Sequence, residues 1–511
     1  MVALCGLIYL PSLFWSLGLD QNIFAEIGSL LLQGKKLYVD AWDVKPPNVF
    51  YIYALFQWIF GKSEFVIRLS DYIFAIIAFV GIIVATQREA AQFGSAILQK
   101  WAGPLAAILL ALTLLSLGLA DTAQTESYSL AFIIGAVVLA LNNNVLSRYS
   151  LFLTGIFIAI ATFFKTTNAI FFIPIILEIF FRDRAQFAQG ILSVFAGFIL
   201  WTVLQLGVLA IEGSLSEYLR ITYSVLTHHS SEISQFGMWS LPRAMWTYLD
   251  IWSILAVAAI VTALVKSDKA FLRLVRMPLL FLVAGMVSVI VQNKGWGYQY
   301  VVLLPGLIML CAICSLYLYE LIQKRNFATA AFGMIALLLV TLTITPSARR
   351  RIHYCSDALL SIRDHSAYVT TLGARESLYY PAGTDSLAKY LSAHTSPTDG
   401  VFIFGEEPGA YWKSGRIPAA RFVYSLLFTS GVIPDSDLIV MTDSLVRKKP
   451  ALIVVERFDT TAFRGRPETS ESQEEVNLIF VTLKNLLVSN YRVSDTLCNN
   501  YIVYQRKGFS N

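Results

Sequence analysis

Over residues 1–345 long apolar runs alternate with short polar breaks, and Lys/Arg-rich breaks recur at every second one. A helix crosses a ~30 Å hydrocarbon layer with its backbone satisfied only if about 18 or more consecutive residues are nearly uncharged. The chain therefore reads as a multi-span α-helical membrane protein with two chemically different faces. Composition agrees: 56% of residues are hydrophobic and 14% charged, more apolar surface than a soluble fold of this size hides. Candidate spans are residues 1–19, 66–86, 101–119, 126–141, 149–164, 168–181, 189–210, 245–265, 277–292, 299–322 and 327–345, about eleven in all.

The breaks set the orientation. Arg88 and Lys100, Arg148, Arg182 and Arg184, Lys266, Lys269, Arg273 and Arg276, and Lys324 and Arg325 fall in loops of one side. Short Lys/Arg-rich loops stay cytoplasmic. The other side receives residues 20–68, the turn 121–126, Lys165, the loop 211–244, Lys294 and everything after Thr345. Residues 1–19 lack a basic n-region and a small-residue cleavage site before Asp20, so they read as a retained first span rather than a signal peptide. The long connections all lie on the outer face, and function is expected there.

The expected division is a transmembrane catalytic domain, 1–345, with a first outer loop at 20–65, and an extracytoplasmic (periplasmic) α/β domain, 346–511. In the second region no 18-residue apolar run remains. Short β-prone stretches at 401–404, 438–441, 451–456 and 491–504 alternate with helical patterns at 384–393 and 474–489. Cys311 and Cys314, three apart within a span, read as core packing. Cys355 and Cys498 lie near the two ends of the outer domain, which allows a disulfide in an oxidising compartment. His228 and His229, with Glu217 and Glu232 at a distance, do not make a metal-ligand pattern.

Charges beside the membrane on the outer face are the most informative residues. Asp20 ends the first span and Glu26 follows; Asp121 and Glu126 form a second acidic pair after the third span. Carboxylates at that depth point to a polar cavity between helices, or else to helix caps at the headgroup boundary. Cations share the face: Lys45 in the run from Tyr38 through Asp43 to Pro46-Pro47, Arg68 at the second span, Lys165 after the fifth, and Lys294 before Trp296, Tyr298 and Gln299. Each lysine alone also fits a snorkelling end-residue. Pro46-Pro47 fixes the backbone after Lys45, which suits a preset cation to holding a phosphorylated lipid at the surface.

The first loop, Asp20-Gln-Asn-Ile-Phe-Ala-Glu, then Leu32-Gln-Gly-Lys-Lys-Leu-Tyr-Val-Asp-Ala-Trp-Asp-Val-Lys-Pro-Pro, then Phe60-Gly and Val66-Ile-Arg-Leu, resembles the opening of integral-membrane glycosyltransferases of the C-type fold. The branch it is most similar to contains dolichyl-phosphate-mannose protein mannosyltransferases and the bacterial lipid A aminoarabinose transferase. The resemblance extends loosely over residues 1–345; the outer domain matches bacterial relatives at Gly405-Glu-Glu-Pro-Gly-Ala-Tyr-Trp-Lys-Ser-Gly-Arg and Ala420-Arg-Phe-Val-Tyr.

The resemblance implies a glycosyltransferase that moves a sugar from a polyprenyl-phosphate donor to an envelope lipid, glycan or protein on the non-cytoplasmic face. It gives Asp20 the place of the catalytic carboxylate, with Glu126, Asp121 and Glu26 as further acids. Lys45 takes the lysine that meets the carrier phosphate, joined by Arg68, Lys165 and Lys294. Tyr38, Asp43, Trp296, Tyr298 and Gln299 would line the substrate site. The chain departs from the family where Gln21 follows Asp20 in place of a second acid and where Gln299 replaces a common His. No cofactor is implied, a divalent metal stays open, and no nucleic-acid partner is indicated. The unelaborated cytoplasmic loops suggest a bacterial inner membrane and an undecaprenyl carrier, with single displacement and inversion expected. A nucleotide-sugar donor is disfavoured because no cytoplasmic loop is large enough to bind one. The Gly405 segment lacks a dinucleotide or P-loop spacing, and Arg416 and Arg421 read as a solvated face. The alternatives are a transporter or flippase of lipid-linked glycans, which predicts midplane charges and an internal repeat, and a membrane scaffold.

Overall fold

A computed structural model of the chain describes residues 1–141, 147–182, 184–225, 240–293, 295–343, 345–373, 380–426, 433, 435–456 and 481–509. The first helices in chain order are α1 (Val2–Tyr9), α2 (Leu19–Leu32), α3 (Asn48–Phe60), α4 (Glu64–Ala91), α5 (Ala96–Leu117), α6 (Thr125–Ala140), α7 (Arg148–Phe164), α8 (Phe172–Arg182) and α9 (Phe187–Glu212). Local chemistry starts several of them. The Ser63 and Ser95 hydroxyls accept from Val66 N and Leu98 N, capping α4 and α5.

Four helices are long and apolar enough to cross a bilayer: α4, α5, α9 and Gly297–Gln323. Two bent pairs, Val2–Phe14 with Leu19–Leu32 and Phe327–Thr343 with Pro346–Arg363, raise the number to as many as six among the described residues, short of the eleven expected. The difference has a physical origin. The expected spans 126–141, 149–164 and 277–292 are apolar helices of 16 or 17 residues, whereas 245–265 falls inside a helix of 26, Ser240–Val265. The three shorter ones rise only ~24–26 Å at ~1.5 Å per residue. Residues 168–181 divide into a 3₁₀ turn, Thr166–Phe171, and α8. The expected span 1–19 is itself broken: the pair bends by 81°, where Pro11 opens a 3₁₀ turn and an extended Trp15 follows.

Close packing joins the helices. A Cβ on Gly155 of α7 would stand 1.9 Å from Val194 O of α9, and one on Gly197 of α9 equally close to Phe152 O of α7. Only side-chain-free positions allow backbones to approach so nearly, as is common between membrane helices. The basic ends do meet on one face. Arg88 and Arg182 donate to Val138 O and Ala140 O at the end of α6. Arg182 and Arg276 both pair with Glu178. That face is the cytoplasmic one, so the chain is a multi-pass membrane protein whose C-terminal domain stands outside the cytoplasm.

The C-terminal domain carries a five-stranded sheet of β1 (Gly400–Phe404), β2 (Ile417–Pro418), β3 (Leu452–Glu456), β4 (Tyr491–Leu497) and β5 (Tyr501–Arg506), ordered β2-β1-β3-β5-β4. β1 pairs in parallel with β2 and β3, Val401 opposite Leu452, while β5 lies antiparallel to β3 and β4. The strand expected at 438–441 is a correction: those residues lie in helix Asp435–Lys448. Buried Leu438, Met441 and Leu445 form its inner face, a helical spacing that a four-residue window cannot show. Residues 481–490 are helical; the start of the pattern expected at 474–489, with His228, His229 and Glu232, lies outside the described residues. Cys355 and Cys498 are free thiols and are not bonded to each other.

The first outer loop belongs to the core of this domain. Leu37, Trp42, Phe50 and Tyr53 pack in one buried cluster with Phe402, Trp412, Phe422 and Tyr501. Trp42 N donates to Arg421 O at 2.9 Å, and Trp412 Nε1 to Gln57 Oε1 at 2.8 Å.

Candidate active site at the outer ends of the helices

The turn between α5 and α6 is the frame on which the site is built. Gln21 Nε2 donates to the carbonyls of Leu119, Ala120 and Thr122. Asp71 Oδ1 accepts from Ala123 N at 2.9 Å, and Tyr53 OH donates to Ala123 O at 2.7 Å. Buried backbone groups are thereby satisfied by side chains of α2, α3 and α4. Gln21 is thus a clamp on this turn.

Asp20 stands in the first turn of α2, where the helix N-terminus favours a carboxylate. Its Oδ2 accepts from Gln124 Nε2 at 3.1 Å. Lys45, Asp43, Asp121, Lys165 and Tyr298 all feel its charge. Glu126, fully buried in the first turn of α6, accepts from the Thr125 hydroxyl and pairs with Lys165 Nζ at 3.0 Å.

Lys45 is fixed from both sides of its own backbone. Its N–H donates to Asp43 Oδ1 at 2.8 Å, and its carbonyl accepts from Tyr38 OH at 2.9 Å. Lys45 Nζ lies 3.5 Å from the Tyr298 hydroxyl and 5.1 Å from that ring's centre; Lys165 Nζ is 5.8 Å from the same centre. Two cations thus flank one aromatic ring. Burial opposes the Lys45 charge, but Tyr298, Asp20, Glu126 and Asp43 together hold its pKa above the usual lysine range. Burial pushes the Asp43 carboxyl up to about 6 against the opposing pull of Lys45. It pushes Asp121 up to about 7, against the Tyr298 N–H and Arg350. Asp121 sits so close to Gly297 that a Cβ there would be 2.2 Å from its Oδ2.

The structure thus brings together Asp20, Lys45, Asp43, Asp121, Glu126, Lys165 and Tyr298, with Tyr38 acting through the Lys45 carbonyl. It does not bring Glu26 to them. Six positions along α2 turn that side chain about 240° round the helix, and it is buried with Lys62 as its opposing charge. Arg68, expected at the donor phosphate, is a further correction. It is fully buried and donates to Trp15 O, Ser16 O, Leu119 O and Thr122 Oγ1, so its guanidinium is committed to the frame. Gln299 closes its own turn by accepting from Trp296 N at 3.2 Å, and Trp296 is exposed. Lys294 lies outside the described residues.

Two participants escaped sequence reasoning. Gln124 lay unremarked between the two acids of its turn. Tyr424 OH donates to Asp43 Oδ2 at 3.2 Å from a loop 381 positions away; the stretch Ala420-Arg-Phe-Val-Tyr stood out in the sequence, but nothing in it pointed to the site. Among the described residues no three His, Cys, Asp or Glu side chains converge as metal ligands.

Residues 44–207 match the dolichyl-phosphate-mannose-protein mannosyltransferase family, a segment that includes Lys45, Glu126 and Lys165 and begins after Asp20. No curated protein sequence matches the chain. Among solved structures, ArnT from Cupriavidus metallidurans bound to undecaprenyl phosphate superposes with a TM-score of 0.59 at 14% identity, covering 98% of this chain and 96% of that one. The archaeal oligosaccharyltransferase AglB from Archaeoglobus fulgidus, in complex with an inhibitory peptide and a dolichol-phosphate, gives 0.57 at 12% identity, covering 99% of this chain and 74% of that one. At these identities the likeness is one of fold, and it runs through both the helices and the outer sheet. The chain therefore shares the fold of these membrane proteins, and its residues 44–207 are similar to the dolichyl-phosphate-mannose-protein mannosyltransferase family.

Proposed function

We propose that the chain transfers a sugar from a polyprenyl phosphate to an envelope acceptor, a lipid, glycan or protein, on the non-cytoplasmic face. The observation that carries this reading is the convergence of Asp20, Lys45 and the Glu126–Lys165 pair around Tyr298. An acceptor hydroxyl attacks the anomeric carbon, the bond from that carbon to the phosphate oxygen breaks, and its electron pair leaves with the phosphate. Lys45 and Lys165 neutralise that phosphate, which needs no proton to depart. Asp20 receives the acceptor's proton, and Gln124 holds its carboxylate in place. One displacement inverts the anomeric centre.

In this reading the two bent pairs, the shorter apolar helices and Ser240–Val265 cross the membrane with the four long ones, giving about eleven spans. Residues 1–345 form the catalytic domain and 346–511 the periplasmic one. The protein works in a bacterial inner membrane with an undecaprenyl carrier, a choice supported by the carrier bound to ArnT. No cofactor enters the scheme.

Mass spectrometry of lipid-linked sugars after deletion of the protein names the donor, as the carrier-bound sugar that accumulates. With that donor and the purified full-length protein, Asp20→Asn is expected to reduce transfer by about 10²–10⁴-fold with the fold and donor binding kept. Intact transfer in that variant overturns the proposal.

A further inference from the structure

A cleft of about 360 Å³ opens between the first outer loop and the sheet domain, apart from the site above. Pro418 and Met441 are among its apolar residues, and its charged residues are Lys35, Arg421, Arg447 and Lys448 against one acid, Asp40. The Asp40 carboxylate already accepts the Lys36 N–H at 2.9 Å. Arg421 is paired with Asp437, which Arg220 shares. Among the described residues the uncompensated charge of the cleft therefore comes from Lys35, Arg447 and Lys448. Burial, and then the like charge of Lys35, pulls the Lys448 ammonium below the usual lysine range; Asp40 offsets this and Arg447 adds to it. Lys448 Nζ donates to Ala419 O at 2.9 Å, which orients it and leaves its other two protons for a ligand.

Two features tie the cleft to the membrane and to the reaction centre. Lys36 Nζ stands 3.3 Å from where a Cβ on Gly213 would be, directly after the outer end of α9. The loop that lines the cleft therefore reaches the outer end of α9. The segments beside it are also those that build the site: Trp42 N bonds Arg421 O, and Tyr424 bonds Asp43. From Asp40 to Lys45 the loop spans at most roughly 17 Å.

We propose that this cleft is an anion subsite that takes a phosphate group of the acceptor and so holds the acceptor beside Asp20; the assignment rests on the transferase reading. Three cations lining one cleft, two compact ammoniums and a forked guanidinium, suit a multiply charged phosphate better than a single carboxylate. The phosphate belongs either to a lipid headgroup or to a glycan.

Inorganic pyrophosphate is the probe, titrated by calorimetry into the full-length protein in detergent micelles. The triple variant K35Q/R447Q/K448Q is expected to weaken binding at one class of site by at least about tenfold, while K45M removes the other class and leaves this one. In the wild-type protein, pyrophosphate should also protect Lys35 and Lys448 from acetylation, read by mass spectrometry. Unchanged binding in the triple variant, or no protection of the two lysines, overturns the cleft assignment and leaves the donor site standing. The donor reading fails separately if undecaprenyl phosphate binds K45M as well as it binds wild type. In phosphatidylcholine nanodiscs with phosphatidic acid, displacement of pyrophosphate from the cleft supports a lipid headgroup as the source, and retention supports a glycan phosphate.

Discussion

Lys45 owes its place to covalent geometry before electrostatics. A residue ahead of proline is driven out of the helical region, and the two bonds that pin its N–H and carbonyl then leave only the side chain to choose its surroundings. Asp121 shows the cost of such surroundings. A carboxyl whose pKa is raised by folding binds more protons in the native state than in the unfolded one across that interval, so stability falls as pH rises from about 4 to about 7. Asp121→Asn is expected to flatten that fall, seen as a smaller difference between thermal midpoints at the two ends of the window. Arg68 makes the opposite point. Arg68→Met should cost about 3–5 kcal/mol of stability, by chemical denaturation in micelles, with donor affinity kept in the molecules that fold. A loss of affinity without loss of stability would return Arg68 to the phosphate. Asp20, Lys45, Glu126 and Lys165 were legible as site candidates because a charge beside an apolar run is conspicuous. Arg68 was equally conspicuous; what separates it is a set of carbonyl acceptors from distant turns, and sequence spacing carries no trace of those.

At the scale of elements, the bend between α1 and α2 matters most, since it turns a would-be continuous span into a helix that starts with Asp20 at its N-terminus. Hydropathy announced the apolar run but not the turn within it, because Pro11 and Gly18 are tolerated in membrane helices. The same averaging merged short helices and 3₁₀ turns into full spans. The misread stretch at 438–441 is a run of apolar, partly β-branched residues whose helical partners lie outside so small a window. α7 and α9 supply a mechanical test. Gly197→Leu drives a side chain into Phe152 O, so a loss of about 3 kcal/mol or more is expected, measured as a lowered thermal midpoint; an unchanged midpoint would mean the helices sit farther apart than described.

On the scale of the whole molecule, the loop and the sheet domain fold as partners. The expected boundary at 345 separates them along the chain, yet Trp412, buried and bonded to Gln57 of α3, joins them in space. Such a joint was unreadable in advance because its halves are 355 positions apart. Trp412→Ala is expected to remove about 3–5 kcal/mol and to speed amide exchange over residues 37–45; protection unchanged there would mean the loop holds its shape alone. Glu407 lies in the same domain, bonded by Thr384 and Tyr501 and pushed by burial up to about 8. Native protons exceed unfolded ones from about 4.3 to about 8, so the domain weakens with rising pH in that range, and Glu407→Gln should lessen the slope in thermal melts, most visibly between about pH 7 and 8 where Asp121 no longer contributes.

The apolar union of outer loop and sheet also restricts traffic. A roof fused to its doorstep does not hinge away as a separate body, so on the proposed reading a bulky lipid carrier would enter from the plane of the bilayer.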